Sequence, residues 1–215
     1  NLTGDAPIWR YDTEHEYLVD LEISEDGSTI VISGIWGDDG YRIHVLGNDS
    51  ENPIWTSNSD SCGYYGASVA VSADGQYIAT KGHNCGERVS YYSIDSSTPI
   101  WSRDIGRGGS CWNCGLYDVL DISWDGKYVA VGTADREFDN LYLFEASESN
   151  IPLWIYQSST TGEFREVSIT PDGSYITAAY QGSPGKVHYF SKNSSNPIAS
   201  WNNYGNYRTS ISYDG

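Results

Sequence analysis

The sequence predicts an all-β fold in which one four-stranded antiparallel sheet is repeated along 215 residues. The first observation is a hairpin pattern, in which alternating apolar residues of Val69–Val71 and Tyr77–Ala79 flank an Asp-Gly pair. The second is its recurrence, with turn aspartates at Asp26, Asp74, Asp125, Asp172 and Asp214. The third is their spacing, because intervals of about 40–50 residues are typical of four-stranded β-propeller blades.

Each repeat divides into four strands, and we label them A to D from the inside of the array outwards. Strand A is the apolar strand before each Asp-Gly turn, and strand B follows the turn. Strand C is predicted at Arg42–Val45, Arg88–Tyr92, Leu141–Phe144 and Lys186–Phe190. Strand D carries a Pro-Ile-Trp signature that begins at Pro7, Pro53, Pro99 and Pro152 (with Leu for Ile). In the last copy, which begins at Pro197, two residues separate Ile198 from Trp201. Proline has no N–H to donate to a ladder, so strand D is predicted to be the outer edge.

The whole chain is interpreted as one propeller or propeller segment, 1–215, with blades at approximately 17–57, 66–104, 116–157 and 164–203. A first strand D (Pro7 to Tyr11) and a last strand A (Tyr207 to Ser212) remain outside these blades. They cannot pair directly, because strands B and C must lie between them. We therefore expect that further blades flank this segment or that another copy completes its ends, as a ring or a filament.

The pattern Ile-Ser-x-Asp-Gly-x-Tyr-Ile, followed by strand C and by Ser-x-x-Pro-Ile-Trp, resembles the tandem propeller repeats of archaeal surface and secreted proteins. These are distant relatives of the WD-repeat and PQQ-like propellers. The resemblance covers the whole chain and implies a β-propeller, but propellers host many unrelated activities. The Trp-Asp dipeptide that names the WD repeat occurs only at Trp124-Asp125.

The net charge of −17 and the pI of about 4.3 argue against nucleic acids and anionic membranes as partners, because both are polyanions. The same charge is compatible with cationic partners, divalent ions or a salty medium. The sequence has no apolar run of about 18 residues, so no membrane insertion by this segment is expected. It also shows no signal-peptide pattern and no Met, so we expect a mature or excised piece.

Four cysteines, Cys62, Cys85, Cys111 and Cys114, favour an oxidising compartment. Folding the second hairpin about Asp74-Gly75 places Cys62 roughly opposite position 87. Cys85 is two residues from that position, so we predict the disulfides Cys62–Cys85 and Cys111–Cys114. A zinc site is the alternative, because Cys111-x-x-Cys114 also has ligand spacing. Three sequons, at Asn1, Asn48 and Asn193, add to the prediction of an extracellular or cell-surface protein.

The loops from D to A and from B to C emerge on one face of a propeller, and that face is the predicted binding surface. Its aromatic residues lie beside glycine and asparagine, as in recognition loops; the candidates are Tyr64, Tyr65, Trp112, Tyr204 and Tyr207. The alternative is that these tyrosines only reflect composition, since the chain has 18 of them.

Neither the histidines nor the acidic residues form a recognisable catalytic or metal-binding motif. His44 and His188 hold equivalent positions in strand C, where Ser90 and Tyr142 replace them, so they indicate repeat register. His15 and His83 lie on the loop-rich face without a triad partner. The acidic clusters Asp12–Glu16, Asp38-Asp39 and Asp135–Asp139 lack calcium-loop spacing. No cofactor is therefore predicted, with a divalent cation kept as an alternative; the Thr-Gly-x-x-x-Trp pattern of the PQQ enzymes is absent.

The sequence thus predicts a non-catalytic extracellular scaffold or adhesion module that binds protein or glycan, including copies of itself. The alternative is a secreted glycan-cleaving enzyme whose acids converge on the central channel. Its candidate acids at strand A are Asp20, Asp118, Asp121 and Glu166, and blade two has none. That uneven distribution favours the scaffold over the enzyme.

Overall fold

The structure is a computed structural model that describes residues 7–13, 17–35, 40–57, 67–82, 87–106, 119–133, 140–159, 162–203, 205 and 208–215. Within these ranges the chain forms sixteen strands and no helix. The first eight strands are β1 Tyr17–Ile23, β2 Thr29–Ile35, β3 Tyr41–Gly47, β4 Pro53–Thr56, β5 Ala67–Val71, β6 Tyr77–Gly82, β7 Arg88–Ser93 and β8 Trp101–Asp104. The others are β9 Leu120–Ile122, β10 Tyr128–Gly132, β11 Asn140–Glu145, β12 Pro152–Gln157, β13 Gly162–Ile169, β14 Tyr175–Gly182, β15 Gly185–Ser191 and β16 Ala199–Asn203.

The strands form four antiparallel sheets in simple sequential order, β1 to β4, β5 to β8, β9 to β12 and β13 to β16. We call them blades one to four. The first strands of successive blades contact one another, so strand A lies innermost and strand D outermost. The predicted all-β fold of four-stranded propeller blades is therefore confirmed.

The Asp-Gly hairpins share one hydrogen-bonding pattern, which blade two illustrates. The hydroxyl of Ser72 donates to the Asp74 carboxylate at 2.7 Å and accepts the Tyr77 N–H at 3.0 Å. Gly75 has φ of 68°, in the left-handed region that favours glycine. The pairs Val71↔Ile78 and Ala67↔Gly82 confirm the predicted register. The connection between strands β5 and β6 runs from Ser72 to Gln76 and is therefore longer than a two-residue turn. The side chains of Ser72 and Asp74 close this loop.

The hydrophobic core lies between blades. Leu120 and Ile122 of blade three join Ala79 and Val89 of blade two in one buried cluster. Similar clusters join blade one to blade two and blade three to blade four. The innermost turns are also linked, since the Ala73 N–H donates to the Trp124 carbonyl at 2.9 Å. Each blade is thus stabilised mainly by its neighbours, as expected for a repeat protein.

The two segments predicted as leftover strands are not strands in the structure, although both lie where the repeat places them. Residues 7–13 lie against the outer part of blade one, where Trp9 Nε1 donates to the Asn48 carbonyl at 2.8 Å. Residues 208–215 lie against blade four, where Thr209 N–H donates to Glu166. No strand forms in either described segment, because neither has a neighbouring strand B or C to pair with.

Candidate functional site

The inner ends of the blades surround a cavity of about 250 Å³. Strands β1, β5, β9 and β13 and residues 209–210 line it, so it corresponds to the predicted central channel. Its acidic lining residues are Glu22, Asp121 and Glu166. This is the place where the enzyme alternative requires converging acids.

Two of the four candidate acids bond to the backbone of the next blade, and a third bonds to the end segment 208–215. One Asp20 carboxylate oxygen accepts the Val69 N–H of blade two at 2.8 Å, and one Asp121 oxygen accepts the Ile169 N–H of blade four at 2.8 Å. Glu166 accepts the Thr209 N–H and the Arg208 guanidinium. Asp118 lies outside the described residues. Asp20 and Asp121 are therefore braces that join strands A of neighbouring blades, and Glu166 joins strand A of blade four to the end segment.

Strand D contributes a second brace through the tryptophan of the Pro-Ile-Trp signature. The indole N–H of Trp55 donates to the Ile94 carbonyl of the next blade at 2.7 Å, and that of Trp101 donates to the Ala146 carbonyl at 2.8 Å. Trp9 and Trp154 make the same bond. In blade four the pairing Tyr189↔Ala199 places an alanine at this position. Proline begins strand D in blades one and three, whereas in blades two and four the strand begins two residues after it. Proline followed two residues later by tryptophan was thus the sequence signal for packing between blades.

The histidines of strand C complete a third contact between blades. Nδ1 of His188 bonds with the Ser200 hydroxyl at 2.7 Å, and Nε2 with the Tyr156 hydroxyl of blade three at 3.4 Å. Burial, with the positive charge of Lys186, lowers the pKa of His188 to about 4. His44 contacts residues at the equivalent positions, but through Nδ1 alone, which lies 2.8 Å from the Tyr11 hydroxyl and 3.1 Å from the Thr56 hydroxyl. His44 and His188 thus hold equivalent positions in strand C, as predicted. His15 and His83 lie outside the described residues.

A buried ion pair in blade two was not predicted. Lys81 Nζ lies 3.0 Å from Glu87 Oε1, and both side chains are almost fully buried. Lys81 is the next-to-last residue of strand β6 and Glu87 immediately precedes strand β7, so the pair lies at the B-to-C end of blade two, on the predicted binding face. A lysine within an apolar strand was the available signal. A buried charge needs a partner, and here each side chain supplies the partner of the other. The ion pair therefore links strand β6 to the residue before strand β7.

The five aromatic binding candidates, Tyr64, Tyr65, Trp112, Tyr204 and Tyr207, lie outside the described residues. So do the four cysteines Cys62, Cys85, Cys111 and Cys114 and the sequon residue Asn1. Asn48 and Asn193 are described, and both are exposed on turns between strands C and D. In the part of the chain that is described, no group of three metal-ligating side chains occurs. The same ranges contain no helix long and apolar enough to cross a membrane.

The comparisons with known proteins identify the fold only. No protein-family profile matches the chain, and no curated protein matches it either. Among solved structures, it is similar to a propeller chain in the "Crystal Structure of Mitotic Checkpoint Complex", with a TM-score of 0.66 and 13% sequence identity. The match covers 89% of this chain and 55% of that chain, so this sequence spans about half the length of its structural neighbour.

Proposed function

We propose that this chain is a non-catalytic scaffold that binds protein or glycan through the face carrying the D-to-A and B-to-C loops. One observation supports it above all: the inner carboxylates Asp20, Asp121 and Glu166 accept hydrogen bonds from the neighbouring blade or end segment. A carboxylate committed to the backbone is a poor candidate for the paired acids that glycoside hydrolysis needs. The similar chain in a multiprotein complex is consistent with a protein partner.

The proposed setting is extracellular or at a cell surface, as an adhesion module. The acidic composition, the cysteines and the exposed sequon residues Asn48 and Asn193 support this setting. The resemblance to archaeal surface propellers gives the same expectation. Sugar attached at either asparagine would lie on the outer rim, away from the loop-bearing face.

Self-assembly is a second candidate, because apolar residues are exposed at one end of the array. Leu18, Leu21 and Ile23 of strand β1 are about half exposed. An array of similar units with unpartnered ends can extend or close through head-to-tail contacts. In this form of the proposal, neighbouring copies would give a ring, a surface layer or a filament.

The binding proposal is tested on an array that carries surface glycans and purified surface proteins. We expect retention of the chain, and loss of at least tenfold in affinity for the double variant Tyr64→Ala/Tyr65→Ala. The control is Tyr213→Ala, because Tyr213 is exposed at an Asp-Gly turn and therefore on the opposite face. Retention that is unaffected by the loop variant would contradict the proposed binding face, and no retention at all would contradict binding.

The enzyme alternative is tested with Glu166→Gln and Asp20→Asn on a panel of soluble polysaccharides. The scaffold proposal expects no cleavage by the wild-type chain and a lower melting temperature for both variants. Cleavage that disappears in Glu166→Gln at an unchanged melting temperature would overturn the scaffold and support the hydrolase.

A further inference from the structure

Blade one exposes a surface that every other blade buries. Leu21 and Ile23 of strand β1 are 50% and 53% exposed. The residues at the position of Leu21 in blades two, three and four are Val69, Leu120 and Val167, and they are 1%, 3% and 4% exposed. We call the side of a blade that faces the preceding blade its leading face. In blade one it is the side of β1 and β2 that carries Leu18, Leu21 and Ile23.

The repeat itself shows what covers a leading face. Leu120 and Ile122 of blade three are buried against Ala79 and Val89 of blade two. Val167 and Ile169 of blade four are buried, in the same way, against blade three. In the described part of the chain, the occupant of a leading face is therefore always the preceding four-stranded blade, with its strands A to C over the inner positions.

Residues 7–11 already occupy one position of such a blade on blade one. Trp9 makes the bond to the Asn48 carbonyl that Trp101 makes to Ala146. The Tyr11 hydroxyl bonds with Nδ1 of His44, and Tyr156, at the equivalent position, bonds with Nε2 of His188. These residues therefore lie where the outermost strand of a preceding blade belongs, and they leave the inner part of the leading face exposed.

We infer that the leading face of blade one docks a complete blade of this same repeat, with residues 7–11 as its outermost strand. The other three strands are of the repeat's own type, with aliphatic residues on the side that faces blade one. This inference goes beyond the proposed function, because it does not depend on what the loop-bearing face binds. It is a statement about which surface completes the array.

A second copy of this chain fits the leading face less well. At its other end a copy offers residues 208–215, which lie at the inner position against Glu166 and Tyr175 of its own blade four. Together with residues 7–13 of the next copy, that segment would supply an inner and an outer position. The two middle strands would have no counterpart, so the complete blade is the better occupant.

The test is a variant of the chain in which a copy of residues 162–196 replaces residues 1–6 and is joined to Pro7. Asn196 precedes Pro197, the equivalent of Pro7, so the added strands A, B and C lead into Pro7–Tyr11 as strand D. We expect hydrogen exchange of the strand β1 amides to slow by at least tenfold and the melting temperature to rise. The unmodified chain measured in parallel gives the reference.

The matched control carries Thr177→Asp and Val187→Asp in the added copy only. Both residues lie on the side of blade four that faces away from blade three, which is the side that would cover Leu21 and Ile23. We expect this control to lose the protection of strand β1. Unchanged exchange in the first variant, or equal protection in the control, would overturn the inference. A sedimenting dimer of the unmodified chain with protected strand β1 would also overturn it, in favour of a second copy.

Discussion

The carboxylate of Asp20 in blade one accepts the backbone N–H of Val69 in blade two at 2.8 Å, while its other oxygen accepts the N–H of Leu21. One side chain therefore fixes both its own strand and the first strand of the next blade. Asp121 does the same between blades three and four, through Ile122 and Ile169. Acids on the innermost strands of a propeller can thus hold neighbouring blades together.

The first prediction concerns this brace. Asp20→Ala should lower the free energy of unfolding by about 1–3 kcal/mol, because charge-assisted bonds to backbone N–H groups are lost. Asp20→Asn should cost less, since its amide oxygen can still accept one of the two bonds. Urea unfolding followed by tryptophan fluorescence measures both variants. Equal stability of Asp20→Ala and the wild type would show that the brace contributes nothing.

The second prediction concerns the glycines of the Asp-Gly turns. A Cβ at Gly126 would lie 2.5 Å from the Tyr77 ring of blade two, whereas a Cβ at Gly27 would meet nothing within 4 Å. Both have φ near +70°, so both variants carry backbone strain. Gly27→Ala should therefore cost about 1 kcal/mol and Gly126→Ala about 2–4 kcal/mol, because only the latter also separates two blades.

Thermal melts of Gly27→Ala and Gly126→Ala, measured side by side, decide this prediction. Gly173→Ala should behave like Gly126→Ala, because its Cβ would lie 2.3 Å from the Tyr128 ring. A melting temperature that falls equally in all three variants would leave strain as the only effect. The close approach of the turn to the neighbouring blade would then not matter.

The four-stranded blades and their order were predictable because each carries its own local signals. The Asp-Gly turn requires positive φ at Gly75, and a proline at or just before the start of strand D suits an edge strand. The braces were not predictable, because an acid on strand A gives no sign of whether it faces a substrate or the backbone of another blade. Asp20 was counted as a possible catalytic acid for that reason, and Lys81 with Glu87 was missed altogether.

The ends of the array were also only partly predictable. The pattern at Pro7 to Tyr11 indicates a strand, but a strand needs a hydrogen-bonded neighbour, and the described residues provide none there. The last signature was read with two residues inserted before Trp201, whereas the pairing places Ala199 at the tryptophan position. Trp201 instead lies opposite Val187 and is exposed. Both the missing first strand and the position of Trp201 depend on contacts with other parts of the fold. The periodicity of the sequence carries no information about those contacts.

The third prediction concerns the cysteines. We expect Cys62–Cys85 and Cys111–Cys114 in the oxidised protein, found as linked peptides by mass spectrometry of a non-reduced digest. The confirmed register of strands β5 and β6 directs Cys62 towards the region of Cys85 if the pairing continues beyond Ala67 and Gly82. Free thiols at all four positions, or stoichiometric zinc that a chelator removes, would contradict the disulfides.

The fourth prediction concerns pH. His188 is buried between Tyr156 and Ser200, and its pKa is lowered from 6.5 to about 4. The unfolded chain therefore binds a proton at His188 over a range of pH where the folded chain does not. The stability contributed by the neutral ring is fully present above pH 6.5 and is lost as the pH falls towards about 4. The loss should reach about 3 kcal/mol, at 1.36 kcal/mol for each pKa unit.

Other groups of this acidic chain also titrate in that window, so the prediction is made on a difference between proteins. His188→Gln keeps polar atoms near Tyr156 and Ser200 but cannot take up the proton. The unfolding free energy of the wild type should therefore fall more steeply than that of His188→Gln between pH 6.5 and 4, although the variant is less stable at pH 7. Urea unfolding at half-unit pH intervals measures both curves. Parallel curves would contradict the prediction, because they would mean that His188 takes up its proton as easily in the folded chain as in the unfolded one.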